Sequence, residues 1–282
     1  MAKLGAERES DDEQKRAGYL FAPLHSRLEG PLTMSQSVAR VHLRSETLEH
    51  FASYVRQAEQ AMEPSLHGRE PFLWCLNNGL RATQVRSGSV VAQVWSGEGP
   101  VPVPKGLIHD WVGAVFTPGA TIARTLTLLQ DYDHHKLVYK PEVMESKLLR
   151  RNGNDFHIYL RLLKKKVITV VLDTEHDVHY SALDALCWSC RSYTTRTAEV
   201  ENAGRPDEHI SSPDEGNGFL WRLYSYWRFQ ETDAGVFLEC RALSLSRDVP
   251  RGLGWIVDPI IRKLPRESLI KTLTDTRKAL SD

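Results

Sequence analysis

Four residue groupings in this 282-residue chain could do chemistry. Cys187 and Cys190, in CWSC, have the C-x-x-C spacing of thiol–disulfide exchange. That chemistry needs the first cysteine at a helix start, where the thiolate is stabilised. LDALCWSCRSYTTRTAEV reads instead as a strand, and a three-residue step along a strand turns the two sulfurs to opposite faces. His134 and His135 follow Asp131 and Asp133 in DYDHH, and His176 and His179 sit in DTEHDVHY. Zinc needs three or four ligands converging in space. On a strand His-x-x-His splits between faces, so no metal site is expected. One histidine on a cavity wall could act as general acid or base. The fourth grouping is Arg222, Tyr224, Tyr226 and Arg228, alternating with Leu223, Trp227 and Phe229. The simple expectation is that the apolar row packs inward and the polar row meets solvent. The alternative is that Tyr or Arg orients a ligand headgroup. No G-x-S-x-G, Walker loop or H-E-x-x-H occurs, and no cofactor is expected.

The elements that must position these residues follow from periodicity. Residues 1–18 read as a polar arm, and residues 19–282 as one domain with an N-terminal helical extension. From Leu32 to about Ala61 the pattern is helical, with Leu43, Leu48, Phe51, Val55 and Ala58 at a 3.6-residue period. Residues 79–95 suggest a hairpin turning at Ser-Gly-Ser. From His109 the spacing suggests two short helices broken at Pro118-Gly119. From Val143 to Ser246 strand follows strand, with an Asn-Gly-Asn turn after the first. On the last strand Glu239 and Arg241 could pair across to Arg222 or Arg228 as surface structure. A long helix ends the chain: a first piece around Trp255, then a main stretch from Pro265 with Leu269, Leu273, Thr276 and Leu280 as its apolar stripe.

Bulk composition narrows the classes. Thirty-six basic and 36 acidic residues cancel, so the total charge does not point to nucleic acid as a partner, although a balanced total leaves a local basic patch open. Four cysteines are too few for a disulfide scaffold. No stretch has the length of a membrane span, and the charged N-terminus lacks a signal-peptide core. A cytoplasmic home is the expectation, with export open because a processed leader leaves no trace.

The order of elements, and the phrase Y-x-x-W-x7-G-V-x-x-E carried by Tyr224, Trp227, Gly235, Val236 and Glu239, resembles the START-like, birch-pollen-allergen-like helix-grip superfamily. The corner from Ser244 to Trp255 is similar in style. The resemblance implies an α+β fold in which a curved antiparallel sheet wraps a long C-terminal helix. It also implies a cavity between them for a lipid, polyketide or other apolar molecule. A bent sheet and a straight helix cannot touch along their whole lengths, so side chains or a ligand must fill the gap. Trp188, Trp221, Tyr224, Trp227 and Trp255 are the residues expected to wall that gap, with core packing as their alternative role. Trp111, Val112 and Phe116, placed on the two short helices, would rim the opening as a gate. The same surface could instead dock transiently on a membrane. Binding or transfer of a hydrophobic small molecule is the leading functional expectation; a cyclase, aromatase or hydrolase acting in the same cavity is the alternative.

Overall fold

The computed structural model describes residues 40–165, 169–248 and 254–282, with backbone alone for 254–262. The polar arm expected at 1–18 lies outside them. β1 (Val41–His42) leads into α1 (Ser45–Leu66), a 3-10 turn at Trp74–Leu76 and α2 (Gly79–Arg86). β2 (Val91–Val94), β3 (Val101–Val103) and β4 (Gly106–Pro118) come next, then α3 (Ile122–Gln130), a 3-10 turn at Tyr132–His134 and α4 (His135–Val138). β5 (Val143–Asn152), β6 (Asp155–Lys165), β7 (Thr169–Ala182) and β8 (Cys187–Glu201) form a meander. The chain ends with β9 (His209–Ile210), β10 (Glu215–Gly216), β11 (Arg222–Thr232), β12 (Gly235–Arg247) and α5 (Gly254–Ser281).

One antiparallel sheet runs β2-β4-β12-β11-β8-β7-β6-β5, with β3 beside β4 and β9 beside β8. It curves around α5, and this is the helix-grip arrangement. The α5 stripe Leu269, Leu273, Thr276 and Leu280 is buried, as its spacing requires. The helix is continuous from Gly254 through Pro265, however, rather than starting at the proline. It lies along β4, β12 and β2, and Gly113 on β4 permits this approach. A Cβ there would stand 2.9 Å from Leu273 Cδ1 and 3.1 Å from the Val91 carbonyl oxygen. Gly113→Ala is therefore expected to cost about 1–3 kcal/mol by overpacking, read as a lowered urea midpoint with an unchanged m-value. Gly235 of the sequence phrase is equally constrained. Its φ is +144°, and a Cβ would fall 2.2 Å from the Thr117 oxygen, so only glycine fits the turn between β11 and β12.

Two stretches differ from their expected form. Residues 79–86 are helix, not the first arm of a hairpin: the Asn78 side chain caps the helix by accepting from the Arg81 N–H at 3.0 Å. Residues 106–118 are one strand rather than the first of two short helices, while the second, after the Pro118-Gly119 break, forms as α3. Val112 to Thr117 are all buried, and a strand covered on both faces reads as an unbroken apolar run without alternation. Trp111, Val112 and Phe116 thus belong to the interior of the sheet rather than to helices rimming an opening.

Both faces are covered because α1 and the 72–86 segment pack on the convex side. Phe51, Val55, Ala58 and Met62 of α1 join Leu243, Leu245 and Tyr226 in one core. Leu73, Trp74, Cys75 and Val85 join Val112, Phe116 and Phe237 in another.

Candidate functional site

Strand alternation fixes what the concave face presents to α5. At one end its own side chains fill the space. Ile122 and Leu129 of α3, with Tyr132, meet Phe156, Tyr180, Cys190, Phe229 and Leu238 of the sheet. This plug is tied by hydroxyls. Tyr132 and Tyr180 share a 3.0 Å hydrogen bond, and Tyr180 donates to the Leu129 carbonyl at 3.2 Å. Tyr139 bonds Thr276 of α5 at 3.0 Å. His135 packs between Tyr132 and Tyr139, tilted to the first ring and edge-on to the second, and bonds the Leu129 carbonyl at 3.1 Å. Burial drives its pKa down to about 4, so the ring is neutral and donates through Nε2.

Toward the middle the floor thins. One row across the strands reads Val178, Ser192, Ser225, Ala242 and Trp111, each opposite the next. Three consecutive positions in it are small. Ser192, Ser225, Ala242 and Trp111 are only half-buried, as are Leu223 and Trp227 beside them, although they lie on the face that grips the helix. These small positions on β8, β11 and β12 are thus less buried than most of the rows on either side of them. At the margin of this floor the Thr194 hydroxyl accepts from the Leu223 N–H at 2.8 Å and donates to the Leu223 carbonyl at 2.6 Å. It replaces the ladder bond where β8 and β11 separate.

The next row carries His176, Ser244 and His109, all buried. His176 bonds the Thr174 hydroxyl at 3.0 Å through Nε2, and burial lowers its pKa to about 4. Its Nδ1 is buried without a hydrogen-bond partner. His179, three residues on, turns to the convex face and pairs with Asp155. The C-x-x-C cysteines part in the same way. Both are free thiols with pKa raised first by burial, Cys190 to about 12, which leaves no thiolate to attack.

Of the residues expected to wall the cavity, Trp111, Trp188 and Trp227 come together on the concave face. Phe116, Trp221 and Tyr224 are packed on the other side of the sheet. Phe116 meets Phe237 at 4.6 Å between ring centroids, Tyr224 meets Phe51 at 5.2 Å, and Trp221 lies in the α1 core. The side chain of Trp255 lies outside the described residues.

The convex interior also holds ions that sequence reasoning placed on the surface. Arg241 makes a bidentate pair with Asp110, at 2.9 and 2.6 Å, and stacks on Trp95 at 4.0 Å. The Tyr54 hydroxyl donates to the same carboxylate at 2.9 Å. Arg228 donates to the carbonyls of Phe72 and Met62. Glu239 accepts from the Cys75 N–H at 2.9 Å, and burial raises its pKa. Arg228, Glu239 and Arg241 are at most 8% exposed, so the polar row of β11 and β12 meets α1 and the 72–86 segment instead of solvent. A signal was present: GVFLECRALSLS is apolar on both alternations, which marks a strand covered twice.

This architecture is that of the helix-grip proteins. Similar solved structures include a STAR-related lipid transfer protein fragment from Xanthomonas axonopodis, at 16% identity and TM-score 0.41, covering 66% of this chain and 100% of that one. A START superfamily protein from Mycobacterium smegmatis has 12% identity and TM-score 0.42, covering 61% and 97%. The Zhui aromatase/cyclase from Streptomyces sp. R1128 has 8% identity and TM-score 0.39, covering 61% and 93%. No protein-family model and no curated protein match the chain. At these scores the likenesses decide nothing about ligand or activity, which rest on the site itself.

Proposed function

We propose that the protein binds and carries an apolar small molecule, lipid-like or polyketide-like, between the sheet and α5. The row Ser192–Ser225–Ala242, half-buried in the centre of a face packed at its end, carries this reading. Apolar walls at Trp111, Leu223 and Trp227 suit a hydrophobic body, and the two serine hydroxyls suit one or two polar groups on it. Binding is favoured over cyclase- or hydrolase-type catalysis by the same floor. Its accessible side chains are hydroxyl, aliphatic and indole groups, none of them titratable near neutral pH. The histidines of that face, His109 and His176, are each 3% exposed. A general acid or base must reach the reacting atom within about 3 Å.

The test is native mass spectrometry of gently purified protein, with the organic extract analysed in parallel. A defined small molecule is expected with the wild type. Ser225→Trp, which fills the floor, should lose it while keeping a cooperative thermal transition. Equal retention by the folded variant would place the ligand elsewhere. An empty wild type that also shows no saturable binding of a fluorescent fatty acid would end the reading.

A further inference from the structure

The convex face carries a second feature, independent of the concave one. Beyond the edge of α1, no described element covers the outer surface of β5 to β8. Two hollows meet there, of about 250 Å³ against the α1 wall and about 520 Å³ across β5 to β8. Both are lined by His179, Arg191 and Tyr193.

Charge on this face is closely matched. His157 bonds Asp177 at 2.8 Å and Glu175 at 3.3 Å. His179 bonds Asp155 at 2.6 Å through Nδ1. Glu59, from α1, accepts from the Tyr193 and Tyr226 hydroxyls. Arg161 is held by Asp173 and Glu208, and Arg196 by Glu175. Glu63 pairs with His67, and the buried Arg228 is satisfied by backbone carbonyls. Arg191 breaks the pattern. It stands at the junction of the hollows, directly opposite His179 on β7 and Tyr226 on β11. Among the described residues no carboxylate lies within ion-pair distance of it, and its guanidinium carbon lies 6.0 Å from the Tyr193 ring. Tyr193 is itself fixed by Glu59, so the surface under the guanidinium is rigid. The Ser181 and Ser189 hydroxyls line the narrower hollow beside it. At the far end of the wider hollow Arg150 likewise has no acid partner among the described residues.

We propose that this junction is a binding site for a water-soluble small molecule bearing an oxyanion, carboxylate or phosphate ester, anchored on Arg191. A guanidinium presents a planar fork of donors that matches either group bidentately. The serine hydroxyls supply further donors to the same ligand. The unpaired Arg150, three strands and roughly 14 Å away, favours an elongated molecule with a second anionic end. The occupant differs in kind from the apolar one on the concave face, since this floor is charged and open to water.

The experiment follows the Arg191 Nε–H and the Ser189 and Tyr193 amides by NMR. Inorganic phosphate and succinate are titrated separately into the whole chain at constant ionic strength. Saturable shifts centred on Arg191 are expected for at least one of them. Arg191→Gln should weaken binding at least tenfold, read from the Ser189 and Tyr193 amides. Arg196→Gln removes a neighbouring arginine that already has a partner, and should leave binding unchanged. Saturation by phosphate alone assigns a phosphate ester, and by succinate alone a carboxylate. Linear, unsaturating shifts with both anions would overturn the proposal, as would equal binding by Arg191→Gln.

Discussion

Acidification from about pH 6.5 to about pH 4 should remove on the order of 3 kcal/mol of stability for each of two histidines. His135 and His176 are buried on different elements, and burial lowers the pKa of each to about 4. In the unfolded chain both take up a proton near pH 6.5. Below that pH the unfolded state holds more protons than the folded one, so the contribution is complete above about pH 6.5 and declines as pH falls toward 4. The two sites differ in what protonation breaks. At His135 a charge would be placed between two aromatic rings, in the segment that ties α3 and α5 together. At His176 it would appear under the sheet, beside the Thr174 hydroxyl. Urea unfolding at several pH values measures the slope. His135→Gln and His176→Gln should each flatten it by about half, whatever they do to stability at neutral pH. An unchanged slope in both variants would mean that other groups dominate acid unfolding.

Asp110→Ala is expected to cost about 3–5 kcal/mol, because it leaves Arg241 charged, buried and unpaired. The cost exceeds that of a surface ion pair, worth about 0–1 kcal/mol, since the two side chains are only 2% and 5% exposed. The Tyr54 hydroxyl loses its acceptor in the same step. Replacing both partners at once, Asp110→Leu with Arg241→Met, should recover most of the loss, because the desolvation of two charges disappears with their attraction. A double-mutant cycle in urea gives the coupling. Simple additivity of the two single losses would show that the pair contributes through packing alone, with Arg241 acting through its stack on Trp95.

The C-terminal half of this architecture was legible because its signals are local. Turn residues separate the strands, alternation sorts β11 and β12 into faces, and the stripe of α5 repeats at helical spacing. Gly235 stood out as part of a phrase, and the structure gives the reason in the carbonyl it must clear. The concave floor was only partly legible. Trp111, Trp188 and Trp227 stand out for their aromatic character, whereas the half-buried floor proposed to bind runs through Ser192, Ser225 and Ala242. Small residues give no signal in a linear reading, because room is a property of what stands opposite. Phe116 reads as a gate residue only while 109–117 reads as a helix, and Trp221 and Tyr224 read as wall residues only while the convex face is taken to meet water. That assumption failed with β4, whose apolar run carries no period, and with the 72–86 segment, whose tryptophan and cysteine pack against it. Once the convex face is known to be covered, the inward turn of Glu239 and Arg241 follows.

The convex layer also bears on the order in which the molecule can be made. Arg241 and Asp110 are 131 residues apart in the chain, Arg228 and Phe72 are 156 apart, and Glu239 and Cys75 are 164 apart. In each pair the later partner lies on β11 or β12, and the earlier one lies on β4 or in the 72–86 segment. During synthesis α1 and the 72–86 segment leave the ribosome well before β11 and β12, so the part of their surface that lies on those strands forms only after more than a hundred further residues. Loop closure over such distances adds little to the equilibrium cost but places these contacts late. The amphipathic face of α1 meets β3 and β4 early, but the part that packs on Tyr226, Leu243 and Leu245 must wait for the last two strands.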